Sequence, residues 1–238
     1  VLTRLMEERF GLAVTFDHGN IVYKETIEAP VIGIGHFEPL RHYAEVHLLL
    51  EPLPLGSGVQ VTSDCPADWL ALPWQKMVLN CLDETEVPGI LTGSPITDIK
   101  ITLIAGKAHI KHTEGGDFRQ ATLRALRQGL RRTTCQLLEP VYQFRMELPA
   151  GQLSRAMFDL QRMQAQSSIT QNQTDRVILE GTAPVAKMRN YQAELTAYTH
   201  GLGRLVCTFQ GYQPCADQQA LIEAIGYDCD GDLDFPAD

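Results

Sequence analysis

"YQFRMELPAGQLSRAMFDLQRMQA", residues 142–165, decides the fold class. Its first eight residues alternate apolar and polar side chains, the period of a half-buried strand, and the remainder carries the single apolar stripe of a helix. Downstream, "SSITQNQ" (167–173) and "DRVILEGTAPV" (175–185) read as two strands across a polar turn. "AKMRNYQAELTAYTHG" (186–201) then reads as a helix and "GRLVCTFQGYQP" (203–214) as a last strand.

That order, β-α-β-β-α-β, is the split βαβ of a ferredoxin-like sandwich, with two helices on one face of an antiparallel sheet. It predicts a domain over residues 143–214, followed by a C-terminal helix "ADQQALIEAIG" (216–226) and an acidic tail within 215–238. The tail is expected to be mobile.

Upstream, a second α+β pattern occupies residues 28–142. "HYAEVHLLLEPLPLGSG" (42–58) is a strand running into a Pro/Gly turn, followed by a strand at "VQVTSD" (59–64). A helix is expected over "ADWLALPWQKMVLNCLDE" (67–84), interrupted at Pro73. "PGILTGSP" (88–95) is a loop, and "ITDIKITLIAG" (96–106) a strand with Ile99, Ile101 and Leu103 on its buried side. A helix then begins near Asp117, with Phe118, Leu123, Leu126 and Leu130 on one stripe and the arginines largely on the other. Residues 1–27 contain one helix closed by Gly11, then strands at "LAVTF" and "NIVYKETI". They read as the end of a domain that begins further upstream.

Net charge is −9 over 238 residues, which argues against a nucleic-acid partner until its distribution is considered. Asp217, Glu223, Asp228, Asp230, Asp232, Asp234 and Asp238 lie in a final segment without a basic residue, so the rest of the chain is nearly neutral. Within that remainder Lys107, Lys111, Arg119, Arg124, Arg127, Arg131 and Arg132 oppose only Glu114 and Asp117. The expectation is a basic patch on a nearly neutral body. The six cysteines show no CxxC spacing and the start has no secretory apolar run, so reduced thiols and a cytoplasmic location are expected. No apolar run has the length of a membrane helix, and neither membrane nor DNA is an expected partner.

"GKAHIKHTEGGDF" (106–118) places His109 and His112 in a strand-to-helix loop, with His36 and His42 in another loop. Four imidazoles invite zinc, and a histidine-loop metalloprotein is the alternative of a different class. A loop does not hold an i, i+3 pair as a helix does, however, and no third ligand has a characteristic spacing. "DCDGDLD" (228–234) alternates carboxylates, but its glycine stands at the fourth place, where a calcium loop needs one at the sixth. Neither a nucleophile elbow nor a GxxxxGK[ST] phosphate loop occurs, so the chain is expected to hold no catalytic residue, metal or cofactor.

"FGLAVTFDHGNIVYKETI" (10–27), "HYAEVHLLLEPLPLGSG", "LTGSPITDIKITL" (91–103), "TCQLLEPVYQFRMELP" (134–149) and "THGLGRLVCTFQGYQP" (199–214) resemble, in order and separation, the C-terminal half of translational GTPases of the elongation factor G type. The resemblance implies that 1–27 close domain III, that 28–142 form an elongated domain IV related to a ribosomal-protein fold, and that 143–214 form domain V. It implies a monomer whose missing N-terminal domain binds GTP and Mg. Its partner would be the ribosome, touched at 16S and 23S rRNA near the A site. His109 falls at the family's tip histidine. The implied contacts are His36, Phe37, Glu38, Pro39, Leu40, Arg41 and His42 in one tip loop and His109, Ile110, Lys111, His112 and Thr113 in the other. The first loop lacks the glycines of elongation factor G, and Ile110, Lys111 and His112 replace acidic residues after the tip histidine. With the "THGLGRLVCTF" segment and the added terminal helix, these departures resemble the ribosomal protection proteins of tetracycline resistance. Protection or ribosome rescue is therefore expected ahead of translocation.

Overall fold

Ala44, Val46, Leu48 and Leu50, on alternate positions of one strand, are almost wholly buried. In the computed structural model, which describes residues 2–14 and 19–232, they form the centre of the first of two sheets. This sheet contains β2 (Val31–Phe37), β3 (Ala44–Pro52), β4 (Val59–Ser63) and β5 (Ile99–Ala108) in the order β2-β3-β5-β4. β4 and β5 run parallel, which requires a crossover, and α2 (Leu72–Glu84) supplies it. α3 (Gly115–Arg131) packs across β2 and β3 on the same side as α2.

The second sheet is built on β6, a single strand from Cys135 to Pro149. β8 (Arg176–Pro184) pairs along one edge of β6, β7 (Gln166–Asn172) lies beyond β8, and β9 (Arg204–Pro214) pairs along the other edge. The order β9-β6-β8-β7, entirely antiparallel, is that of a ferredoxin-like sandwich. Phe144, Met146 and Leu148 face Ala156 and Leu160 of α4 (Leu153–Arg162) and Leu195 of α6 (Tyr191–Tyr198) in a separate core. β6 passes without a break through the expected junction at 142–143. β1 (Lys24–Ile27), within the stretch assigned to a preceding domain, pairs with the first part of β6 through Lys24↔Leu138 to Ile27↔Cys135.

Several local expectations need correction. β2 has no counterpart among the expected strands, because Gly33 and Gly35 weaken a strand pattern. Those glycines are what allows the sheet to meet α3: a Cβ on Gly33 would lie 2.0 Å from the Ala125 carbonyl oxygen, and one on Gly35 would lie 1.8 Å from that of Ala121. His36 and Phe37 thus belong to β2, and the connecting loop is shorter than 36–43. Pro73 does not interrupt a helix; it stands in the first turn of α2, where its missing N–H costs nothing. "NIVYKETI" is extended only from Lys24. Leu12–Val14 form no strand, and the rest of "LAVTF" lies outside the described residues.

The helix expected over 186–201 is two pieces, α5 (Val185–Met188) and α6, separated at Arg189 and Asn190. In the "THGLG" turn that follows, the Gly203 N–H donates to Thr199 Oγ1 at 2.8 Å, and a Cβ on Gly203 would meet Leu195. Packing accounts for this glycine. α1 (Leu2–Phe10) ends as expected at Gly11, whose φ is +65°, and α7 (Gln218–Ile225) ends at Gly226 with φ +61°.

Two charged residues depart furthest from their expected surface positions. Arg127 is 0% exposed within α3. Glu25 of β1 is also buried, and the loop "PGILTGSP" folds around its carboxylate. The N–H groups of Leu91, Thr92 and Ser94 donate to it at 2.9, 2.9 and 3.2 Å, with the Thr92 hydroxyl at 3.0 Å. The amides of this loop do cradle an anion, and the anion belongs to the chain itself.

Candidate nucleic-acid interface

The two tip loops leave the same end of the first sheet, because β3 pairs with both β2 and β5 and brings Phe37 and Ala108 to its Ala44. In the first loop, the His42 N–H donates to the Pro39 carbonyl at 2.9 Å, closing a tight turn. Arg41 adopts a left-handed φ of +68° at the turn's third position, a strained conformation for a side chain with a Cβ. Leu40 at the apex is 91% exposed.

The second loop is closed on itself and on its neighbour. Thr113 Oγ1 accepts the His109 N–H at 2.7 Å and donates to the Tyr43 carbonyl at 2.7 Å. The His112 and Thr113 N–H groups donate to the His109 carbonyl at 3.2 and 3.1 Å. The rings of His109 and His112 consequently stack with centroids 4.6 Å apart. Ile110, between them, is fully exposed at 103%, and Lys111 is exposed beside it.

Asp117 joins the two loops to the helix. Its Oδ1 receives the His42 Nδ1–H at 2.8 Å, and its Oδ2 receives the Glu114 N–H at 2.8 Å, completing a capping box at the start of α3. Arg124, two turns further on, donates to the His36 carbonyl at 3.0 Å and lies 5.2 Å from the Phe37 ring centroid. Tyr43 packs edge-on to His36 at 5.3 Å and to His109 at 6.5 Å. Its hydroxyl is pushed up to about 12, chiefly by burial and then by the Glu45 carboxylate, so it stays protonated and donates to Glu45 at 2.9 Å. His47 holds the other Glu45 oxygen at 2.7 Å, and this bond is the main cause keeping the Glu45 carboxyl below its usual range.

All twelve expected contact residues therefore gather at one end. They surround a groove of about 590 Å³ lined by Glu38, Pro39, Leu40, Arg41, His42, Tyr43, His109 and His112. The arrangement offers stacking rings, two cations on the apices and two exposed aliphatic side chains, a combination suited to irregular single-stranded RNA. Among the described residues, no group of three or more His, Cys, Asp and Glu side chains is placed to hold a metal ion. Tyr43, Asp117 and Arg124 were not among the expected contact residues. They shape the site from beneath, and only the Asp three places after Glu114 signalled such a role, as a helix cap.

Two family models match the chain in tandem: "Elongation factor G, domain IV" over residues 19–134 and "Elongation factor G C-terminus" over 136–222. The chain belongs to the elongation factor G family. Within it, the first sheet and its tip loops are domain IV, and the ferredoxin-like sheet is the C-terminal region. The tetracycline resistance protein TetO of Campylobacter jejuni is 32% identical over 90% of this chain and 34% of its own length. TetM of Staphylococcus aureus is 30% identical over 90% and 34%, and TetP of Clostridium perfringens is 29% identical over 90% and 33%. The chain thus spans about a third of each of these relatives. A crystal structure of a Thermus thermophilus protein shares the fold with a TM-score of 0.80 at 21% identity, over 92% of this chain and 34% of that one. No described helix is long and apolar enough to cross a membrane.

Proposed function

We propose that this chain is the ribosome-contacting portion of a translational GTPase of the tetracycline-resistance protection type, and that it inserts its two tip loops into the decoding A site. GTP and Mg would be bound by a domain of the parent protein outside this chain. The observation that carries the reading is the pairing of the two loops through Thr113, Tyr43 and Asp117, which presents Leu40, Arg41, Ile110 and Lys111 together at one extremity. Lys111 and Arg41 would meet phosphates, the stacked His109 and His112 would meet a base or ribose, and the exposed Leu40 and Ile110 would pack against unstacked bases. The resemblance of the whole chain to TetO and TetM supports protection over translocation.

The experiment is ribosome co-sedimentation and tetracycline protection by the full-length protein, unmodified and carrying His109→Ala with His112→Ala. Loss of protection with retained folding supports the reading. Unchanged protection and binding would refute the tip assignment.

A further inference from the structure

The helix that carries the tip at its first turn carries a different cluster at its last. Arg127 is the largest of the fully buried side chains among the described residues. Its guanidinium donates to the Pro88 carbonyl at 3.3 Å, the Tyr227 hydroxyl at 3.0 Å and the Cys229 carbonyl at 2.8 Å. It also lies 5.9 Å from the centre of the Tyr227 ring. The Tyr227 hydroxyl passes its own hydrogen to Asp232 Oδ2 at 2.5 Å. One turn further along, Arg131 pairs with Asp230. A buried guanidinium is tolerated only when its donors are satisfied, and two of the three acceptors come from the segment expected to be a mobile tail.

The same segment covers the loop 88–95. The Tyr227 ring sits over Gly93, where an added Cβ would come within 3.0 Å of the ring. That loop is gripped from its other side by Glu25, on a strand of the second sheet. The C-terminal segment is itself fastened to the second sheet upstream. The Leu137 N–H donates to Gln218 Oε1 at 3.1 Å, and Lys187 pairs with Asp217 at 3.0 Å. Between Gln218 and Tyr227 the chain therefore leaves β6, turns at Gly226 and closes over α3 of domain IV.

We infer that residues 226–232 are a clasp between the two sheets, with Arg127 as its buried anchor, Tyr227 as its lid and the Arg131–Asp230 pair as its outer fastening. The acidic residues of this segment and the arginines of α3 account for part of each other: the basic patch is partly consumed inside the chain. Because α3 also holds Asp117, the clasp sets the direction in which the tip loops point. That last consequence rests on the tip loops being the contacting surface; the clasp does not.

Hydrogen exchange on the purified chain tests it, with Tyr227→Ala and a chain ending at Gly226 compared with the unmodified protein. The amides of 88–95 and 127–132 should exchange at least about tenfold faster in both variants, as a local opening does, while those of 46–50 and 144–148 keep their protection. Unchanged exchange at 88–95 and 127–132 would overturn the inference. A uniform rise across both sheets would overturn it too, since the segment would then belong to the common core. No ribosome is present, so the outcome is independent of what the tip loops bind.

Discussion

His42 Nδ1 lies 2.8 Å from Asp117 Oδ1, so the first tip loop is bonded to the helix that begins where the second tip loop ends. One buried carboxylate thereby sets the relative position of both loops. Asp117→Ala removes the cap of α3 and the partner of His42 together. It should destabilise the protein by about 2 kcal/mol, read as a fall in the denaturant midpoint. Asp117→Asn keeps one acceptor oxygen and should cost about half as much.

The contact of β2 with α3 depends on the absence of side chains. A methyl at Gly35 would enter the Ala121 carbonyl, whereas one at Gly116 would meet nothing within 4 Å. Gly35→Ala should cost about 3 kcal/mol or more through overpacking. Gly116→Ala, at the start of the same helix, should gain about 0.5 kcal/mol from helix propensity. Urea unfolding of the two variants side by side measures the contrast.

These cases show what the sequence did and did not make legible. The ferredoxin-like order was readable because β6 to β9 each alternate against one core and their connections are short and polar. β2 was not, since Gly33 and Gly35 look like strand breakers until the Ala121 and Ala125 carbonyls are seen above them. Arg127 looked like a solvated helix residue and Glu25 like an outward strand residue, because their partners come from Tyr227 and from the 91–94 amides, which no local period reveals. The tip loops were legible by family resemblance. Their bonding through Thr113 and Asp117 was not.

Glu25→Ala should be among the most damaging single changes outside the cores. It strips the acceptor from three backbone N–H groups and one hydroxyl at once. A loss of about 3 kcal/mol or more is expected, with the 88–95 loop losing exchange protection. Glu25→Gln should recover only part of it, because its amide nitrogen would face donors.

The Glu45 carboxyl titrates below its ordinary range, first because His47 hydrogen-bonds to it and with help from Tyr43, against an opposing effect of burial. A carboxyl lowered in the folded state contributes stability above its unfolded value, near about 4.3, and that contribution is lost as pH falls through the folded value. His47→Ala should move the Glu45 titration upward, followed by NMR of its side-chain carboxyl carbon. It should also flatten the loss of stability in acid. A Glu45 titration unmoved by the substitution would contradict the assignment.

The most direct measurement is of salt-dependent ribosome binding by the full-length protein with Lys111 intact and as Lys111→Glu. If the second tip loop meets RNA phosphates, the substitution should weaken binding about tenfold or more and reduce the steepness of log affinity against log salt by about 1. A Lys111→Glu protein with the affinity and salt slope of the unmodified one would contradict the placement of this loop against ribosomal RNA.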